Sequence, residues 1–228
     1  MPTWEVLDSQ NHAALRIGSP RTQERLFVQI IAAEFEAAAA RFPILFSKRA
    51  DTGDFYAGAM LGLQPGKPLF ADSREEEDAG RLFDVTREGF YVADESIVID
   101  REHPRFGAAG GEALFDAEGQ PEDALRRVQR ALAHLSTGLE PTDRFIQRCL
   151  ALKLIEPIDL SFRFDDGERL TLDGLYTISR DGVSALDDAT ALDLFRQGYL
   201  QLAYTIISSI QHVGRLARLH NDRLATVA

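Results

Sequence analysis

The sequence predicts an α+β protein in a single domain over residues 1–228: a mainly antiparallel sheet packed against an Ala-rich helix, a long central helix and C-terminal helices. Three observations predict it. Short apolar runs alternate in period two and meet at turn residues, as at Ile158–Phe164, Asp165-Asp166-Gly167 and Arg169–Leu172. The stretches Glu122–Leu139 and Leu200–Leu219 instead repeat their apolar residues at helical spacing. With 228 residues, 45% of them hydrophobic, the chain has material for a sizeable core.

Taken in order, Arg25–Lys48 reads as strand, helix, strand. Ile31–Arg41 is Ala-rich, Ile31, Phe35 and Phe42 fall on one face, and Pro43 ends the helix. Pro43-Ile44-Leu45-Phe46 then reads as a buried strand, and Asp54–Leu63 as another. Gln64-Pro65-Gly66-Lys67 has type II turn chemistry, with Leu69-Phe70 returning as a short strand. The acidic run Glu75–Asp78 reads as a solvated turn. Phe90–Ala93 and Ile97–Asp100 flank Asp94-Glu95-Ser96 as a hairpin, and Pro104–Gly111 is a loop.

Leu125, Val128, Leu132 and Leu135 share a helical face, with Arg126, Arg127 and Arg130 outside it. Gly138 and Pro141 are expected to break or kink that helix before it continues over Asp143–Leu154. Leu175–Ser179 reads as a strand, and Asp187–Gln197 and Leu200–Leu219 as helices parted near Gly198. The last carries more apolar residues than one stripe needs. Ile206, Ile207 and Ile210 are therefore expected either in the core or at a helical interface with a second copy or a partner.

Charge narrows the function. Twenty-five basic against 36 acidic residues give a net charge of −11, the wrong field for nucleic acid or an anionic membrane. No apolar run reaches the length of an integral membrane segment, and no signal peptide is evident at Met1–Asp8, so a cytoplasmic location is expected. One cysteine, Cys149, forms no intramolecular disulfide; set among Phe145, Ile146 and Leu150, it reads as a buried apolar side chain. The hydrolase elbow, zincin, P-loop and dinucleotide motifs are all missing. His220-Asn221-Asp222 has the H-x-D spacing of an iron-binding facial triad but reads as a polar helix end. No metal or other cofactor is expected, and no catalytic residue is assigned.

The order of segments carries a resemblance. Leu7–Ile17 with His12-Ala13-Ala14-Leu15-Arg16, then Ala32-Ala33-Glu34-Phe35 and Ala38–Phe46, resemble the N-terminal part of the SapC family, bacterial proteins labelled S-layer-associated. Leu61-Gly62-Leu63, Glu112–Gly119, Leu154-Ile155-Glu156-Pro157, Leu172–Tyr176 and Leu200–Ser209 resemble its later segments in the same order. The chain departs from the family pattern at Ser179-Arg180-Asp181-Gly182 and at Glu88-Gly89-Phe90-Tyr91.

The resemblance implies a surface-layer role or, from the modifying enzymes and receptors often encoded beside such proteins, an accessory role in modification or uptake of a peptide or small molecule. It implies a single SapC-like domain and a protein or peptide partner, such as a neighbouring modifying enzyme. His12, Arg16 and Glu34 are the candidate ligand-binding residues, being polar positions in matching segments; the plain alternative is that Arg16 and Glu34 pair with each other. The competing functional reading is an enzyme without a standard motif, such as a non-haem Fe(II) oxygenase.

Overall fold

A computed structural model describes residues 3–20, 22, 25–65, 69–70, 74–108 and 110–227. The fold is α+β, and every strand pairing among the described residues is antiparallel. The chain divides into two compact units, Met1–Thr22 with Ala79–Thr137 and Gln23–Asp78 with Gly138–Ala228.

In the unit that holds the N-terminus, Trp4–Val6 and Phe90–Ala93 flank the central strand Ser96–Asp100. The expected hairpin is present: Asp94 and Glu95 both take positive φ, +47° and +63°, the mirror-image turn that suits twisted strands. Phe90 and Ile99, opposite each other on the inner face, are fully buried with Leu15, Ile17, Leu114, Leu125 and Val128. The segment around residues 7–17 is thus part of this core. It contributes a second small ladder, Arg16–Ile17 against Glu112–Ala113.

The other unit is built on a five-stranded sheet in the order Phe27–Gln29, Phe55–Met60, Ile44–Lys48, Tyr176–Ile178, Ile155–Pro157. Gly58 is required where it stands, since a Cβ there would lie 2.2 Å from the Phe27 ring. Leu160–Arg163 and Arg169–Leu172 form a separate hairpin, turned by Gly167 at φ +87°. The Ala-rich segment folds as a 3₁₀ turn, Ala32–Glu34, leading into the helix Phe35–Ala39, with Ile31, Phe35 and Phe42 buried as one face. The helix Tyr199–Ser209 covers the sheet, packing on Ile44–Lys48 and Tyr176–Ile178.

Several expectations need correction. Leu69 and Phe70 form no strand; both are buried, Phe70 edge-on to Phe42 at 5.5 Å, and two apolar side chains plug the core without a ladder. The Gly66-Lys67 part of the expected turn lies outside the described residues. The acidic run sits in a helix, Arg74–Gly80, because Glu favours helix even where no apolar period announces it. The long helix is unbroken from Asp123 to Ala151 through Gly138 and Pro141. Beyond the proline, the Thr142 hydroxyl donates to the Gly138 carbonyl at 2.7 Å and accepts the Ala32 N–H at 2.8 Å.

The apolar C-terminal stretch, read as one helix, is two: Tyr199–Ser209 and Gln211–Val227. Ser209 is fully buried at the break. Its hydroxyl donates to the Ile206 carbonyl and accepts the Ile44 N–H, competing with the helical pattern.

The long helix ends in a Schellman motif, with the Leu154 N–H on the Cys149 carbonyl and the Lys153 N–H on that of Leu150. Its left-handed position carries Lys153 at φ +55°, where glycine is the unstrained residue. Lys153→Gly is expected to raise stability by about 0.5–1 kcal/mol, read as a higher urea midpoint.

Candidate functional site

The N-terminal segment after Val6 turns sharply at Asp8, and the turn is held by side chains. The Asp8 carboxylate accepts the N–H groups of Gln10 and Asn11 and the Asn11 side-chain amide, at 2.8–2.9 Å. These donors hold the carboxyl below the usual carboxylate range, the Asn11 backbone first. A carboxyl lowered in the folded state adds stability above its unfolded value of about 4 and loses it as pH falls through the folded value. Asp8→Asn is therefore expected to lower the urea midpoint at pH 7, with the gap from the parent closing as pH falls below the unfolded value of about 4 and through the lowered folded one.

His12 is packed under this turn, and both ring nitrogens are engaged. Nε2 lies 3.0 Å from Glu5 Oε2, on the strand Trp4–Val6, and Nδ1 lies 3.2 Å from the Asp8 N–H. Nδ1 also lies 3.1 Å from the Asp8 carbonyl oxygen, so Glu5 and the Asp8 backbone between them engage both ring nitrogens. The ring is a fixed wall.

That wall closes one side of a cleft of about 380 Å³, lined also by Leu15, Arg16, Arg101, Gly107 and Gly110. Among the lining residues Leu15 is buried, while Arg16 and Arg101 are exposed. Arg16 spends one nitrogen on the Gly111 carbonyl at 3.0 Å; neither Arg16 nor Arg101 pairs with a carboxylate among the described residues. Gly107 and Gly110 take φ +75° and +80°, which bends the loop around the mouth. The N–H groups of Ala108 and Gly110 have no acceptor among the described residues. Sequence reasoning named His12 and Arg16, and the structure brings them to one cleft. It missed Arg101, whose neighbours give no motif.

Arg105, in the same loop, is committed to structure. Its guanidinium is buried and donates to the carbonyls of Gly18, Thr86 and Glu88 at 2.7–3.1 Å. Burial pulls its pKa down to about 10, opposed by Glu88, so it stays charged at neutral pH.

The remaining candidates have other surroundings. Glu34 is buried in the other unit, where its carboxylate accepts the Ile31 N–H at 3.0 Å and closes the start of the helical segment. Ile206 and Ile207 are buried and Ile210 is half-buried. Burial pushes the Cys149 thiol up to about 12, so it is protonated at neutral pH. His220 and Asp222 lie on one helix two positions apart, which aims their side chains about 200° from each other, whereas the same spacing on a strand would align them. His220 instead packs on Phe164 at 3.9 Å. Among the described residues, no three His, Cys, Asp or Glu side chains gather as a metal would need.

The chain belongs to the SapC family, whose profile matches residues 7–216, nearly its whole length. No curated protein and no solved structure matches it. No helix among the described residues is long and apolar enough to cross a membrane.

Proposed function

We propose that this SapC chain is a non-catalytic accessory protein that holds a peptide or small molecule for modification or uptake, with a neighbouring modifying enzyme as partner. The cleft beside His12 carries the reading: a buried Leu15 and two guanidinium groups without carboxylate partners among the described residues are built to hold a ligand. His12 supports binding over catalysis, because Glu5 and the Asp8 backbone take up both ring nitrogens. On this reading residues 1–228 work as one SapC-like domain in the cytoplasm. A protein partner is supported by apolar side chains left at the surface, Trp4, Val6 and Val92 in one unit and Leu192 and Phe195 in the other. Self-association through the helix that carries Ile206, Ile207 and Ile210 belongs to the same proposal.

The test is to isolate the full chain from its host under native conditions and identify by mass what denaturation releases. A peptide or small molecule is expected from the parent, absent from Ala14→Trp, which fills the cleft, and unchanged in mass after incubation with fresh protein. No released ligand, the same ligand from Ala14→Trp, or a changed mass would overturn the reading.

A further inference from the structure

We propose that the group recognised in the cleft is a carboxylate, held between Arg16 and Arg101 with the loop amides of Ala108 and Gly110 as further donors. The inference rests on the cleft being the binding site and names the chemistry it takes.

The two arginines come from distant parts of the sequence and meet at one opening. A guanidinium has five N–H donors in a planar fork, and the Gly111 carbonyl uses one nitrogen of Arg16, leaving the rest of that fork for a ligand. The planar, two-oxygen carboxylate matches it. Elsewhere in this unit Arg127 meets Glu112 at 2.6 Å and Arg126 meets Asp123 at 3.1 Å, the pairing a carboxylate ligand would reproduce. In the cleft that partner is left for the ligand to supply.

Two features choose a carboxylate over a dianion. The chain carries a net charge of −11, so each added negative charge meets long-range repulsion. Glu5 and Asp8 stand behind His12 and add local repulsion that a single charge meets only once. The buried Leu15 in the lining suits a carboxylate on an apolar body, such as the C-terminus of a peptide or a free organic acid.

The test titrates the ¹⁵N-labelled full chain with four probes: Gly-Leu-Phe, its C-terminal amide, hexanoate and inorganic phosphate. Gly-Leu-Phe is expected to shift the Ala108 and Gly110 amide signals saturably, and the amide to bind at least tenfold more weakly. Hexanoate matching the tripeptide assigns the site to free acids, and hexanoate failing where the tripeptide binds assigns it to peptide C-termini. The Arg16→Gln, Arg101→Gln double variant, checked for a parent-like melt, is expected to lose at least tenfold in affinity for whichever acid binds. Equal binding of acid and amide, phosphate binding more tightly than either acid, no saturable shift by any acid, or an unaffected double variant would overturn the inference. Equal binding of acid and amide in the cleft leaves the ligand-binding reading intact, whereas a host ligand retained by Ala14→Trp removes that reading itself.

Discussion

Arg105→Met is expected to destabilise the unit containing the N-terminus by about 3–5 kcal/mol, enough to leave it largely unfolded in a domain of ordinary stability. The wild-type guanidinium sits in a desolvated position and its cost is offset by three backbone carbonyls, those of Gly18, Thr86 and Glu88. Methionine restores the volume but none of the donors. Three acceptors arranged around the missing group are left short, at about 1–3 kcal/mol for each buried one. Those carbonyls belong to two separated stretches of chain, so the arginine also ties the N-terminal segment and the Thr86–Glu88 turn to its own loop. Arg105→Lys keeps a charge but cannot span all three carbonyls, and an intermediate loss is expected. Urea unfolding followed by Trp4 fluorescence checks both, because Trp4 is the chain's one tryptophan and lies in this unit, edge-on to Tyr91 at 4.8 Å. A parent-like midpoint for Arg105→Met would show that the carbonyls find other donors.

How much could be read from the sequence depended on how local the deciding physics was. The hairpins at Asp94-Glu95 and Asp165-Asp166-Gly167 were legible because turn chemistry and alternation lie within a dozen residues. So was the long helix, whose stripe of Leu125, Val128 and Leu132 lies on the buried side. The expected break at Pro141 is absent, and the contact that holds the chain beside it, the Ala32 N–H on the Thr142 hydroxyl, comes from a partner 110 positions away. The break at Ser209 was invisible for the same reason, its acceptor role being set by Ile44, 165 positions away. The strands Trp4–Val6 and Arg16–Ile17 are too short to show alternation and exist only through their partners.

The site divides along the same line. Resemblance and polarity marked His12 and Arg16, but nothing near Arg101 signals that it meets them, because that meeting is made by the loop over residues 101–111. Glu34 shows the converse. A polar residue in a matching segment holds the start of the helical segment, its carboxylate accepting the Ile31 N–H, a half of the capping box that a sequence without Ser or Thr at position 31 does not announce.

Ile206→Asp is expected to unfold the unit built on the five-stranded sheet. The side chain is 0% exposed on the helix that covers the sheet, and the Ile206 carbonyl already accepts the Ser209 hydroxyl. An aspartate there buries a carboxylate away from water, at a cost of roughly 4 kcal/mol or more even after partial neutralisation. Position along this helix should grade the effect. Ile207→Asp, at 8% exposure, is expected to be nearly as damaging. Ile210→Asp, half-buried where the helix breaks, should cost less because its carboxylate can reach water. Tyr204→Asp, on the exposed side, should change stability by no more than about 0.5 kcal/mol. Circular dichroism and sedimentation on the four variants separate packing from association. If the helix also joins two chains, the parent sediments as a dimer and Tyr204→Asp or Ile210→Asp yields a folded monomer. If the parent is a monomer at tens of micromolar, the helix has no self-association role and its exposed face is left to a different partner. A folded, parent-like Ile206→Asp would show instead that the helix leaves the sheet readily, and that its apolar excess serves an interface more than the core.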